Sequence, residues 1–177
     1  LEIRTIGFPW SYDLVRRTYR ITGATVQCVS DVLSNDDVFV AGNLAGGTHH
    51  AFKAHGEGYC IFNDVAVAAR VAQKKFQIGR CLVIDLDVHQ GNGTAEIFQK
   101  DESVFTWSVH GDKNYPWKSR VASDLDTPLP DNVTGVEYLD AVERGLTKLE
   151  PNDFDLVFYQ AGVDPLSFDR LGRLSIS

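Results

Sequence analysis

Cys81-Leu82-Val83-Ile84 is a short apolar run with Arg80 in front of it and Asp85-Leu86-Asp87-Val88-His89 behind it. An apolar run this short, bounded by charge, has the pattern of a strand covered on both faces, as in a parallel sheet. Val104 to Val109 and Leu156-Val157-Phe158-Tyr159 repeat the pattern. Helical segments alternate with them. Asn63 or Asp64 is placed to cap an amphipathic helix over Val65 to Phe76. Thr94 to Gln99 reads as a helix start after Gly91 and Gly93. Val136 to Leu149 carries Tyr138, Leu139, Val142 and Leu146 on one side and must stop before Pro151. Upstream, Leu14, Val15, Tyr19, Ile21 and Val26 give loose helical periodicity over Tyr12 to Leu33, which Gly23 is expected to split. Buried strands alternating with helices predict an α/β domain with a parallel sheet and flanking helices. Ligands of such sheets sit at the carboxyl ends of the strands. That directs attention to the residues after Ile84, Val109 and Tyr159.

The remaining composition narrows the function classes. The chain has 177 residues, 44% of them hydrophobic, which suits one folded domain. A formal charge of −7 without a basic cluster argues against direct nucleic-acid binding. No apolar run is long enough to span a membrane, and no signal peptide is visible. Cys28, Cys60 and Cys81 have no disulfide or zinc-knuckle spacing and read as buried free thiols in a reducing compartment. The chain starts at Leu1 and contains no Met, so it reads as an internal piece of a longer product.

Three places carry chemistry. On an extended strand Asp85, Asp87 and His89 would share one face. Two carboxylates side by side repel unless a cation lies between them, and a neutral imidazole completes an N/O ligand set suited to Zn²⁺. A polar strand end facing water is the plain alternative. Asp164, after a separate strand, is either a third ligand or a turn residue. His49-His50 lies between Gly42, Gly46 and Gly47 on one side and Gly56 and Gly58 on the other. It is either an exposed pair or a base and an acid beside a metal.

In order and spacing, Thr48-His49-His50-Ala51, Gly58-Tyr59-Cys60-Ile61-Phe62-Asn63-Asp64, Asp85-Leu86-Asp87-Val88-His89-Gln90-Gly91-Asn92-Gly93 and Ala161-Gly162-Val163-Asp164 resemble the histone deacetylase family. The resemblance runs from about Ala41 to the end. The His-Gln-Gly-Asn-Gly form and the segment Asp169 to Ser175 look closest to its class IV-like and bacterial-like branch, and Gly7-Phe8-Pro9-Trp10 is similar to related sequences. It implies a three-layer arginase/deacetylase-like fold, incomplete at the C-terminal side, with residues 1–177 forming part of a catalytic domain.

The resemblance also implies roles. Asp87, His89 and Asp164 match the zinc ligands, and His49 and His50 the histidines that activate water and protonate the leaving amine. Asp85 matches the partner of the first histidine. Asn92 stands where many members have the Asp that partners the second. Tyr59, Tyr115 and Gly58 match the border of the acyl-lysine tunnel. Asp85, Asp87, His89, Ser108 and Val109 match a monovalent-cation site that would take K⁺. The expected activity is zinc-dependent hydrolysis of acetyl-lysine in proteins or peptides, histones among them, in the nucleus or cytoplasm, with an organelle not excluded. An acetylpolyamine deacetylase and a non-catalytic zinc-binding form are the rivals. The family's catalytic Tyr in a Gly-Gly-Tyr segment has no counterpart in these residues, and Tyr12, Tyr19 and Tyr138 do not match it. Zinc binding with weak turnover is therefore expected.

Overall fold

The computed structural model describes residues 2–177. The chain divides into two compact units, the first ending at Gly79 and the second spanning Arg80–Ser177.

The first unit is helical. It holds α1 (Glu2–Ile6), α2 (Tyr12–Ser34) and α3 (Asp64–Phe76). The short α1 is closed by Gly7, which stands at φ 82° and donates its amide to the Ile3 carbonyl at 3.1 Å, but sequence periodicity cannot detect a single turn. Ser11 caps α2, its hydroxyl accepting from the Leu14 amide at 3.0 Å. Gly23 does not split this helix. It faces open space, so only its intrinsic cost of about 1 kcal/mol opposes continuity, and the buried face of Ile21, Thr22 and Val29 outweighs it. Between the two candidate caps of α3 the structure selects Asn63, whose Oδ1 accepts from the Ala66 amide at 2.9 Å. The buried residues of α3 are small, Ala66, Ala68, Ala69 and Ala72 among them, which lets α2 pack closely against it.

The second unit contains β1 (Cys81–Asp85), α4 (Asn92–Phe98), β2 (Val104–Gly111), β3 (Leu125–Leu129), α5 (Gly135–Leu146) and β4 (Leu156–Gln160). The four strands form one parallel sheet in the order β3-β2-β1-β4. The α/β class with a parallel sheet and flanking helices is thus observed. Two strands lie on one side of β1 and β4 lies on the other. The carboxyl ends of β1 and β4 therefore border the point where the strand order reverses, the place where open α/β sheets bind ligands.

Several boundaries differ from the sequence expectation. β3 was not anticipated: its sequence Leu-Asp-Thr-Pro-Leu is half polar and contains Pro128, which is tolerated because β3 is an edge strand. α4 begins at Asn92 rather than Thr94. α5 begins earlier, because Thr134 and Glu137 form a reciprocal capping box, and it ends at Leu146. Its inner face is also shifted. Leu139 and Leu146 are exposed, while Ala141 and Gly145 are buried and Tyr138 and Val142 pack on the core. That core is Val88, Trp107, Val109, Leu129, Val133, Ala141 and Leu174. Trp107 lies at its centre, with its indole N–H donating to Thr127 Oγ1 at 3.0 Å.

Cys60 and Cys81 are buried, Cys60 Sγ lying 3.3 Å from the Gly58 carbonyl oxygen, but Cys28 is half-exposed. No helix among the described residues is long and apolar enough to cross a membrane.

Candidate metal centre and histidine loop

The strand β1 stops at Asp85, so pleat alternation does not align Asp85, Asp87 and His89 as the extended reading supposed. Two local turns do it instead. Asp85 Oδ1 accepts from the Asp87 amide at 3.1 Å, and Asp87 Oδ1 accepts from the His89 amide at 2.8 Å. Each carboxylate thus captures the backbone two residues on, the usual Asx geometry. The segment is also held to both neighbouring strands. The Leu86 amide donates to the Gln160 carbonyl at 2.8 Å, and the Gly111 amide to the Val88 carbonyl at 2.9 Å.

Asp164 comes from the segment that follows the carboxyl end of β4. Its Oδ1 accepts from the Val88 amide at 3.2 Å, and its Oδ2 lies 3.1 Å from His89 Nδ1. Asp87 Oδ1 lies 2.9 Å from the same nitrogen. One ligand atom from each of Asp87, His89 and Asp164 falls within 4.8 Å of the others, and all three residues are half-buried. Burial by itself lowers the His89 pKa, but hydrogen bonds to Asp164 and Asp87, with their charges, raise it to about 9. An imidazole set between two carboxylates gives this pocket a surplus of negative charge suited to a cation. Two carboxylate oxygens and an imidazole nitrogen fit the donor set of catalytic zinc, which uses three protein ligands and keeps a fourth position for water.

Gly172, not singled out in the sequence, lies directly against the backbone of Asp164. A Cβ on Gly172 would stand 1.8 Å from the Asp164 carbonyl oxygen and 3.5 Å from Val88 Cγ2. Only a residue without a side chain lets the 171–173 loop lie against the ligand.

The other residues singled out in the second unit lie on β1, β2, the start of α4 and the loop after β2. Asp85 is buried and pairs in register with Ser108 on β2, next to the buried Val109. Ser108 Oγ lies 3.0 Å from His110 Nδ1. Asn92 is the first residue of α4 and wholly buried. Its Nδ2 donates to the Ser119 carbonyl at 3.0 Å and to Ser119 Oγ at 3.2 Å, which fixes the plane of the amide. The Tyr115 ring lies edge-on to His89, with centroids 6.2 Å apart, and a cis peptide joins it to Pro116.

In the first unit, His49 and His50 are both buried, which removes the exposed-pair alternative. They occupy the middle of a turn in which the Ala51 amide donates to the Thr48 carbonyl at 3.4 Å. The two Nε2 atoms approach to 3.1 Å, so both imidazoles can address the same small group. Gly58 stands at φ 53°, and a Cβ there would meet His50 Cδ2 at 2.6 Å. Tyr59 follows at φ 67°, mostly exposed, with its ring 5.0 Å from that of Phe8. Hydrogen bonds from the Gly58 amide to Thr5 and from the Tyr59 amide to Ile6 tie this loop to α1 at 3.1 and 2.8 Å.

Comparison with known proteins bears on the whole chain. Residues 5–177 match the histone deacetylase domain. An uncharacterized protein of Picosynechococcus is 45% identical over 98% of this chain and 57% of its own length. The polyamine deacetylase of Rattus norvegicus is 36% identical over 71% of this chain and 24% of its own. A solved structure of a histone deacetylase homolog from Aquifex aeolicus superposes with a TM-score of 0.83 at 31% identity, covering 94% of this chain and 47% of that one. The chain thus spans about half the length of the proteins it matches from end to end.

Proposed function

Because the chain belongs to the histone deacetylase family, we propose that it hydrolyses the acetyl amide of lysine with the help of zinc held by Asp87, His89 and Asp164. The observation that carries this reading is the convergence of those three residues at the sheet's switch point. Zinc, when bound there, supplies a Lewis acid for the acyl carbonyl and lowers the pKa of a water. His49 takes the proton of the attacking water, and His50 delivers a proton to the departing lysine nitrogen. Their 3.1 Å separation suits a handover confined to one tetrahedral centre. Asp85 and Asn92 act as the groups that fix the imidazole tautomers. An amide at Asn92 gives His50 less proton affinity than a carboxylate would.

Tyr59 and Gly58 of the first unit and Tyr115 of the second are the proposed binding residues for the acyl-lysine chain. Asp85, Asp87, His89, Ser108 and Val109 provide carbonyl and side-chain oxygens for K⁺. Acetylated protein or peptide, histones included, is the substrate class. The likeness to a polyamine deacetylase makes an acetylated polyamine the second substrate to assay.

The test measures acetate released from an acetyl-lysine peptide and from an N-acetylated polyamine by the zinc-loaded protein. Asp164→Ala should lose both zinc and hydrolysis. His49→Ala should keep zinc and lose about a hundredfold or more in rate. Hydrolysis that survives Asp164→Ala unchanged refutes the assignment, and faster release from the polyamine moves the substrate class to amines.

A further inference from the structure

The polar centre of the first unit is Asp64, only 1% exposed. Its Oδ1 accepts from the Thr48 amide at 2.8 Å and lies 2.7 Å from Thr48 Oγ1. Its Oδ2 accepts from Thr25 Oγ1 at 2.6 Å and from the Gly47 amide at 3.1 Å. Asn43 extends the network, donating to Thr25 Oγ1 at 2.8 Å and to the Ile21 carbonyl at 3.0 Å. A Cβ at Gly46 would stand 2.6 Å from Asp64 Oδ2, so the loop backbone lies directly on the carboxylate.

Asp64 is not needed to cap α3, because Asn63 already does so. Its carboxylate is turned to the loop instead. The surroundings are donors, and a carboxylate is the one side chain that accepts on both oxygens without offering a hydrogen. Asn63 completes the arrangement, its Nδ2 donating to the Ala51 carbonyl at 3.3 Å. Two consecutive residues at the start of α3 thus hold the two ends of the turn, with His49 and His50 between them.

We propose that Asp64 is a positioning residue for the His49–His50 pair, acting through the backbone of Gly47 and Thr48; its catalytic consequence rests on the deacetylase reading above. Loss of the clamp frees the turn to shift, and a displacement of about 1 Å in a catalytic group costs about a hundredfold in rate.

The test uses the zinc-loaded full chain and Asp64→Asn, which keeps the shape but turns N–H groups toward donors. Amide exchange at Gly47 and Thr48, zinc content, melting temperature, kcat and KM on an acetyl-lysine peptide are read together. Exchange at the two amides should accelerate about tenfold or more, as local opening becomes easier. Zinc content and KM should hold, while kcat per zinc-loaded molecule falls about a hundredfold. A merely structural role lowers activity only in proportion to the folded fraction and leaves that normalised kcat unchanged. If Asp64→Asn does not fold, Thr25→Val removes a single donor from α2 and should show the same pattern at smaller size. Wild-type normalised kcat in either folded variant overturns the proposal. If the wild-type chain itself hydrolyses nothing, the deacetylase reading fails separately. The exchange rates and the ring nitrogen shifts of His49 and His50 then decide the positioning role: movement in Asp64→Asn supports it, and unchanged shifts overturn it.

Discussion

Replacing Gly172 by Ala perturbs the proposed metal centre without replacing a ligand residue. The added Cβ would stand 1.8 Å from the Asp164 carbonyl oxygen, about 1.2 Å inside the 3.0 Å that Cβ atoms keep. The loop cannot simply swing away. The Leu171 carbonyl accepts from Asn114 Nδ2 at 2.8 Å, the Arg173 carbonyl accepts from the Asn132 amide at 2.8 Å, and Leu174 is buried in the core. Much of the shift therefore falls on Asp164. Ligand positions in a metal site tolerate about ±0.2 Å, and disturbing the support of a ligand weakens affinity about 10- to 100-fold. At fixed free zinc that removes about 1.4–2.8 kcal/mol of metal-dependent stabilisation. Overpacking adds about 1–3 kcal/mol of loss that does not depend on metal. Thermal melts of both proteins in chelator and in buffered zinc separate the two parts, and competition with a zinc-binding dye gives the affinity directly. Wild-type affinity in G172A would refute the argument that this close approach sets the third ligand.

Other outcomes follow from other parts of the chain. Thr134→Ala removes the capping box of α5 and should lower stability in a urea melt by about 1 kcal/mol. A hydrogen bond from Arg173 holds the Asp131 carboxyl below its ordinary range, so Arg173→Ala should move its NMR titration midpoint upward. The sign is that of a depressed acid: the pair's contribution is present above the unfolded pKa and is lost as pH falls through the folded one. In the native protein Ellman's reagent should reach Cys28 alone. Burial and the nearby Asp31 raise the Cys28 pKa, so labelling should be slow at neutral pH and faster in Asp31→Asn.

The central strands were legible because each is a short apolar run ending in unusual polar residues, and β1, β2 and β4 lie where those runs occur. β3 was not, since an edge strand is freed from the apolar rule and its Pro128 reads as a breaker. The residues now grouped around His89 were legible as types, but the means of grouping them was not. Periodicity suggested a pleated face, whereas two Asx turns bring Asp87 and His89 round. Gly172 and Asp64 act through contacts 8 and 16 residues away in sequence, with Asp164 and Thr48. A local reading sees only a glycine in a loop and an acid at a helix start.

The bond between the Val88 amide and Asp164 joins residues 76 positions apart, across the reversal of strand order. A chain that has paired β1, β2 and β3 but not yet docked β4 already carries Asp87 and His89 and lacks their companion. On the proposed ligand set, a cation meets all three residues only when β4 has closed on β1. A cation held there would span a closure of 76 residues and oppose its reopening.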